Sequence, residues 1–331
     1  MAVPSMTASA RPRKRLVKSE ASTDPAHGCD PLQRPIREHL RFGAVPLDKP
    51  AGPSSHQVVA WVKLAMDLPR AGHGGTLDPQ VTGVLPVALQ DATRCLKALL
   101  LAPKEYVTVM RLHADVPRRR FEQVVQDFTG PIYQTPPLKS AVKRELRVRA
   151  IYEHELLEFE GREALLRVRC EAGTYIRKLC VDMGVVLGCG AHMDELRRTR
   201  SASVGEAAAV SLHDLRDAWE WYKADGDEAE LRRVVWPMER LLEHLPRVVL
   251  RDSAIDAVCH GAGLATPGIA EVDEDIVPGN VVLLASLKGE GVALGTATLA
   301  SQAMVDAPNG IAAQTLRVLM DPGTYPKGWK S

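Results

Sequence analysis

The sequence has little in its overall composition that defines a biochemical activity. Aromatic residues make up only 5% of the 331 residues, and the net charge of +1 indicates no particular partner. No apolar run is long enough to span a bilayer and no secretory leader opens the chain, so we expect no membrane association. Dinucleotide-binding and metal-binding motifs are also missing, so no motif in the sequence indicates a cofactor or a metal.

Cysteine is scarce and scattered. The six cysteines stand at positions 29, 95, 170, 180, 189 and 259, and none forms a Cys-x-x-Cys pair. This spacing argues against a zinc ribbon or a redox motif. We expect reduced, mostly buried thiols, as in a cytosolic-type protein.

The neutral total hides a segregated charge. Basic residues gather between Arg11 and Lys18, between Lys139 and Arg149, and from Arg197 to Arg200, while acidic residues gather elsewhere. Basic clusters of this kind are typical of a protein that meets a polyanion on one face. Solvated helix faces that only look clustered along the sequence are the alternative interpretation.

Composition divides the chain into a tail and two domains. Residues 1–30 are basic, rich in Ser, Ala and Pro, and lack apolar periodicity, which predicts a disordered tail. Residues 35–245 mix strand and helix patterns, as expected for an α+β domain. From 247 to 325, short β-branched runs separated by Gly and Pro predict a small β-barrel with one helix near Ser253–His260. Residues 31–40 are candidates to pack against this second domain.

One stretch, Gly72 to Pro86, is the most informative part of the sequence. It places a single carboxylate, Asp78, directly before Pro79 and after a glycine-rich run. Pro79 restrains the backbone and disfavours a helical Asp78, while Gly74 and its neighbours allow tight turns or the close approach of a ligand. A rigidly held acid at the rim of a pocket is the functional interpretation. An ordinary Asp-Pro turn is the simpler alternative.

Other motifs fit best if they converge on Asp78. Tyr106 opens a predicted strand, and Gly173-Thr174-Tyr175-Ile176-Arg177 opens a predicted helix with a second tyrosine and an arginine. Leu196 precedes a run of arginines, and a Leu47-Asp48-Lys49-Pro50 turn leads into Ser55-His56.

Together these motifs resemble the TruB and dyskerin branch of the RNA pseudouridine synthases. Within that branch the chain is similar to the archaeal-type catalytic subunit of the box H/ACA ribonucleoprotein. The similarity runs from about Pro35 to Trp329, and the Gly-His-Gly-Gly-Thr-Leu-Asp-Pro stretch is highly specific. It implies an α+β fold with a mixed, largely antiparallel central sheet and flanking helices, followed by a PUA RNA-binding domain.

The resemblance also implies roles for individual residues. Asp78 matches the essential aspartate, acting either on carbon or on a proton, and Arg177 matches the arginine that pairs with it. Tyr106 matches the tyrosine that stacks on the target base, and Tyr175 is a candidate for late proton transfer. His56 matches a histidine near the extruded nucleotide.

Four further positions are expected to contact substrate or RNA. Leu196 corresponds to a wall of the pocket, and Arg197 beside it is a candidate phosphate contact. Lys49 is expected either to order the Asp78 loop or to bind phosphate. Lys143 and Arg144 lie in the basic run after Pro136-Pro137, where two prolines favour an extended, RNA-facing segment.

The implied partners are an H/ACA guide RNA, substrate rRNA or tRNA, and the small core proteins of the ribonucleoprotein, without cofactor or membrane. A cytoplasmic setting is expected, or a nucleolar one in a eukaryote. The alternative within the class is a stand-alone tRNA pseudouridine-55 synthase. A non-catalytic RNA scaffold and a nucleoside hydrolase are alternatives from other classes, although a hydrolase usually needs a second carboxylate that no motif here supplies.

Overall fold

The computed structural model describes residues 13–136, 143 and 145–327. The α-helices in this part are α1 (Ile36–Arg41), α2 (Ser55–Ala65), α3 (Leu96–Leu101), α4 (Arg118–Asp127), α5 (Ile176–Leu187), α6 (Leu212–Asp225), α7 (Ala229–Val234), α8 (Asp252–Cys259) and α9 (Ser301–Asp306). Short 3-10 helices occupy Pro31–Gln33, Gln90–Cys95, Glu206–Ala208, Met238–Leu242 and Thr266–Gly268.

The strands fall into two sheets, one for each domain. They are β1 (Arg15–Val17), β2 (Gly43–Lys49), β3 (Ala71–His73), β4 (Thr82–Leu89), β5 (Lys104–Leu112), β6 (Gly130–Gln134), β7 (Arg147–Glu160), β8 (Glu163–Cys170), β9 (Ala191–Ser201), β10 (Val204–Gly205), β11 (Trp236–Pro237), β12 (Arg247–Leu250), β13 (Leu264–Ala265), β14 (Ile269–Asp273), β15 (Val281–Ala285), β16 (Gly291–Ala297) and β17 (Ile311–Val318).

The first domain is built on the larger sheet. Its strands run in the order β11-β2-β4-β9-β5-β8-β7-β6, with β3 beside β4 and β10 beside β9. All of these pairs are antiparallel except the parallel pair β4–β9. The prediction of a mixed, largely antiparallel sheet with flanking helices is therefore confirmed.

Helix starts follow the sequence signals. Ser54 caps α2 because its hydroxyl accepts the Gln57 N–H at 3.2 Å, and Ser211 and Asp214 form a capping box at α6. Strand β6 was not anticipated from the sequence. It pairs with β7 from Gly130 opposite Ile151 to Gln134 opposite Arg147, and local patterns do not reveal pairing at such distances.

The second domain contains the smaller sheet, in the order β1-β14-β12-β15-β16-β17-β13. Strand β12 runs parallel to β15, and the other pairs are antiparallel. An apolar cluster that includes Val248, Ile255 and Tyr325 fills its interior. The predicted helix near Ser253–His260 is confirmed as α8.

The two domains share one buried apolar core. One core cluster joins Phe42 and Val84 of the first domain to Leu283 and Leu294 of the second. Beside it, the buried guanidinium of Arg34 makes a two-pronged ion pair with Glu239, at 2.7 and 3.0 Å. Glu239 also accepts the Gly291 N–H at 2.9 Å, which links this pair to β16. A charge pair buried in this way requires fixed geometry, so the junction is a packed interface.

The N-terminal segment corrects one expectation from the sequence. Residues 13–30, predicted to belong to a disordered tail, are ordered against the second domain, while residues 1–12 lie outside the described part. Strand β1 pairs with the edge of β14, and Arg13 donates to the carbonyls of His244 and Leu245 at 3.0 and 3.2 Å. The segment has no apolar periodicity because it builds none of the core. It adds an edge strand to the sheet, and its cationic side chains bind backbone carbonyls.

No helix in the described ranges is long and apolar enough to cross a membrane.

Lys18 provides a test of this N-terminal contact. Its ammonium donates to the carbonyls of Met304, Val305 and Ala307 at 2.8–3.0 Å, at the end of α9. We expect Lys18→Met to lower the free energy of unfolding by about 2 kcal/mol, because charge-assisted hydrogen bonds are lost. Urea denaturation measures this effect. Lys14→Met is the matched control, since that side chain is exposed. Equal stability of the two variants would contradict the contact.

A buried histidine between the domains predicts acid sensitivity. Burial lowers the pKa of His244 to about 4, from an ordinary value of 6.5. The unfolded chain therefore binds the proton more readily, so stability is complete above pH 6.5 and falls as the pH drops towards 4. The loss from this group amounts to roughly 3 kcal/mol.

The pH dependence of urea denaturation tests this prediction. We expect His244→Gln to reduce the slope of stability against pH between about 4 and 6.5. His213→Gln, at an exposed position of α6, should leave the slope as in the wild type. Identical slopes for all three proteins would show that His244 does not titrate with folding.

Candidate active site

Asp78 lies in the loop that connects two paired strands. Strands β3 and β4 are antiparallel neighbours, and residues 74–81 form the connection between them. The Val81 N–H donates to the Asp78 carbonyl at 3.0 Å, and the Gly74 N–H donates to Pro86 at 2.9 Å. The loop is thus a tight turn with its ends fixed on the sheet, and it presents a half-exposed Asp78 carboxylate.

The glycines of this loop serve packing. A Cβ on Gly72 would lie 2.7 Å from the Leu96 side chain, and one on Gly74 would lie 2.9 Å from Leu99. Close packing against α3 is a third role for these glycines, beside the tight turn and the ligand approach that the sequence left open. Gly75 has a φ of +131°, a conformation that requires glycine.

Lys49 fixes the backbone of the Asp78 loop by hydrogen bonds. It is fully buried, and its ammonium donates to the carbonyls of Pro50, Pro79 and Val81 at 2.8–2.9 Å. Burial lowers its pKa, while the nearby Asp78 carboxylate acts in the opposite direction. The structure therefore corrects the expectation of a phosphate contact, because Lys49 orders the loop and is closed off from solvent.

Two more side chains that the sequence interpretation did not assign to the loop also fix it. The buried Ser55 hydroxyl accepts the Leu77 N–H at 2.8 Å and lies 3.0 Å from the Leu77 carbonyl, directly before Asp78. The Arg198 guanidinium, 1% exposed, donates to Val84 at 2.7 Å and to Gly75 at 3.1 Å. Arg198 was interpreted as part of a basic surface, but it is an internal brace.

Arg177 pairs directly with Asp78. It stands in the first turn of α5, where backbone N–H groups give the helix end a partial positive charge. A cation is unfavourable at that end unless an anion lies beside it, and the Asp78 carboxylate is the anion that pairs with Arg177. Because both side chains are about half exposed, the pair contributes orientation more than stability.

Tyr106 lies on β5 in register with Arg198 of β9, so the phenol feels the charge of that guanidinium. Burial raises the pKa of Tyr106, and the Arg198 charge acts in the opposite direction. The phenol is therefore neutral at ordinary pH. Arg198 thus connects Tyr106 with the Gly75 end of the Asp78 loop.

Tyr175 occupies the N-cap of α5, two residues before Arg177. Its backbone is held by the buried side-chain amide of Gln134 on β6, which was not anticipated from sequence. His56 is exposed at the start of α2, and its ring meets that of His73 edge-on, with centroids 5.0 Å apart. Burial lowers the pKa of His73, and His56 adds to this shift. His73 was missed although it stands in the Asp78 motif.

Leu196 and Arg197 lie on β9 in register with Thr108 and Val107. Leu196 is partly buried against a core cluster of the first domain. The Arg197 guanidinium grips both carboxylate oxygens of Asp48 at 3.0 Å and donates to Glu206 at 2.9 Å. The Arg197 guanidinium, which was expected to contact phosphate, is therefore already paired with the carboxylates of Asp48 and Glu206.

Of the predicted basic contacts, Lys143 is highly exposed and paired with Glu145. Arg144 lies outside the described residues. Within the described ranges, no group of three or more His, Cys, Asp or Glu side chains could hold a metal ion.

The site thus contains one carboxylate, one paired arginine and two tyrosines on a mixed sheet, beside a small second domain built on its own β-sheet. Family models match the whole arrangement. They are the TruB family pseudouridylate synthase N-terminal domain over residues 63–176, the tRNA pseudouridylate synthase B C-terminal domain over 177–243, the DKCLD domain over 10–59 and the PUA domain over 246–319.

Relatives and solved structures agree with these models. The chain is 57% identical over 319 residues to the probable tRNA pseudouridine synthase B of Methanopyrus kandleri, covering 96% of this chain and 94% of that one. It is 54% identical to the Methanosarcina mazei protein of the same name, with coverage of 94% and 92%.

Among solved structures, a chain in a Cbf5-Nop10-Gar1 complex superimposes with a TM-score of 0.92 at 52% identity, covering 96% and 97% of the two chains. A chain in an H/ACA ribonucleoprotein bound to substrate RNA gives 0.90 at 50% identity, covering 97% and 98%. The chain belongs to the TruB family of pseudouridylate synthases, and it is an isomerase of uridine in RNA.

Two adjacent serines test the bracing of the loop. Ser55→Ala leaves the buried Leu77 N–H without an acceptor, at a cost of about 1–3 kcal/mol. Ser54→Ala removes only the α2 cap, at a cost of about 1 kcal/mol. We expect both variants to be less stable by thermal melting, but only Ser55→Ala to slow single-turnover pseudouridine formation at saturating RNA. Equal rates for the two variants would contradict a role for Ser55 in presenting Asp78.

Proposed function

We propose that the chain is the catalytic subunit of a box H/ACA ribonucleoprotein, in which a guide RNA selects uridines of rRNA or tRNA. The observation that carries this proposal is the Asp78–Arg177 pair, held in a braced loop within a chain whose fold matches its relatives nearly end to end. Solved chains at 47–52% identity come from complexes named for H/ACA RNA, Nop10 and Gar1. Partners of that kind, a guide RNA and small core proteins, are therefore proposed here.

The reaction moves one bond and leaves the redox state unchanged. The bond from N1 of uracil to C1′ of the ribose breaks, the base turns, and C5 bonds to C1′. The proton on C5 is then lost and N1 gains one, so atoms and electrons balance without a cofactor. In this scheme the Asp78 carboxylate acts on the reacting carbon or on a proton, and Arg177 orients it through the ion pair.

The two tyrosines take separate parts in this scheme. A uridine in folded RNA must leave its stack to reach the carboxylate, at a cost of a few kcal/mol that contacts in the pocket offset. Tyr106, neutral and in register with Arg198, stacks on the extruded base. We assign to Tyr175, at the start of the helix that carries Arg177, the removal of the C5 proton late in the reaction.

Which basic side chains can contact RNA depends on their exposure to solvent. Lys143 is exposed and suited to phosphate, whereas Lys49 and Arg197 order the site from inside. Such phosphate contacts raise affinity without choosing a sequence. Guide pairing supplies the choice, and the compartment that fits this role is the cytoplasm, or the nucleolus if the source is a eukaryote.

The relatives named tRNA pseudouridine synthase B favour a second candidate, a synthase that modifies tRNA without a guide. One assay separates the two. The protein is incubated with a labelled target RNA or with tRNA, each with and without guide RNA and partner proteins, and pseudouridine is measured. Formation that requires the guide supports the ribonucleoprotein, and equal formation on tRNA alone supports the second candidate.

In the same assay we expect Asp78→Asn to abolish product, because a neutral amide neither attacks carbon nor accepts a proton. Asp115→Asn is the matched control, since that exposed acid pairs only with Arg162 among the described contacts. Full turnover by Asp78→Asn would contradict the mechanism, and release of free uracil would indicate a hydrolase.

A further inference from the structure

A reciprocal pair of hydrogen bonds joins Gln134 of β6 to the backbone of Tyr175. The Gln134 amide N–H donates to the Tyr175 carbonyl at 3.1 Å, and the Tyr175 N–H donates to the Gln134 amide oxygen at 3.0 Å. Only one orientation of the amide makes both bonds, so the donor and acceptor sides are defined. Gln134 is 2% exposed, and an amide buried at that depth needs its bonds satisfied.

This contact fixes the backbone of the residue that directly precedes the first turn of α5. Tyr175 is the N-cap residue of α5, and no side chain of the cap accepts a hydrogen bond from the first turn. The fixed backbone sets where α5 begins, because the Tyr175 carbonyl also accepts the first helical bond, from Leu179 at 3.0 Å. The start of the helix in turn sets the positions of the Tyr175 ring and of Arg177.

We propose that Gln134 is a positioning residue for the isomerisation. It acts through Tyr175 and Arg177 and does not itself touch substrate, and the inference rests on the proposed function. Strand β6 packs beside β7 rather than beside the strands that flank the Asp78 loop. Gln134 thus transmits the position of the far edge of the sheet to the arginine that orients Asp78.

Two substitutions separate positioning from general stability. Gln134→Met has a similar size and makes neither bond. Gln134→Glu keeps the acceptor for the Tyr175 N–H, but in its ionised form it places a lone pair against the Tyr175 carbonyl. When protonated, the introduced carboxyl donates to that carbonyl and restores both bonds.

The pH dependence of the second variant is therefore diagnostic. Burial favours the neutral form of the introduced carboxyl, which brings its titration up towards neutral pH. The charged residues on the elements around the introduced carboxyl are Arg147, opposite on β7, Arg177 and Lys178 in the first turn of α5, and Glu171 before α5, which pairs with Arg149. The ratio of variant rate to wild-type rate removes the effect of pH on Asp78 and on the chemistry.

The experiment measures single-turnover pseudouridine formation at saturating RNA, with the full chain assembled with guide RNA and partner proteins, from about pH 5.5 to pH 8. We expect Gln134→Met to be slower than wild type by about tenfold or more at every pH. Gln134→Glu should be equally slow at pH 8 and approach the wild-type rate as the pH falls. RNA affinity should change little in either variant.

Gln123→Glu, on the exposed face of α4, is the matched control and should follow the wild type at every pH. A rate ratio for Gln134→Glu that does not change with pH would overturn the inference, as would wild-type rates in both Gln134 variants. Absence of product with the wild-type protein would instead refute the proposed function, so the two failures are distinguishable.

Discussion

The ion pair between Asp78 and Arg177 is the contact on which the rest of the site depends. It joins the loop between β3 and β4 to the first turn of α5, and buried hydrogen bonds fix the backbone on each side of the pair. On the aspartate side, Lys49 and Ser55 bind the backbone of the loop. On the arginine side, Gln134 fixes the start of α5. A half-exposed pair gains little stability by itself, so these buried bonds supply the geometry.

Buried polar contacts also fix the geometry at the junction of the two domains. A shared apolar core and the buried Arg34–Glu239 pair leave little freedom between the first domain and the PUA domain. Arg13 adds bonds to the linker carbonyls of His244 and Leu245. In the proposed ribonucleoprotein, RNA held by the PUA domain would therefore lie at a defined distance from Asp78.

The sequence predicted the parts of the molecule that local signals determine. The Asp78 loop, the helix that carries Arg177 and the strand that opens near Tyr106 follow from glycine, proline, capping and alternation. Interactions between residues far apart in the sequence could not be predicted from these local signals. Nothing near Lys49 or Arg198 indicates that the charge is buried under a loop, because exposed and buried cations look alike in one dimension. Strand β1 and the Gln134 bonds also depend on partners far along the chain.

The most direct test of this account is the single-turnover rate of Arg177→Met and Arg177→Lys, measured beside RNA affinity. If Arg177 orients Asp78, Arg177→Met should lower the rate at saturating RNA by about a hundredfold with nearly unchanged affinity, and Arg177→Lys should recover part of that loss. The contrary result is a normal rate at saturating RNA with weakened binding. It would make Arg177 a phosphate contact and would remove the ion pair from the centre of the mechanism.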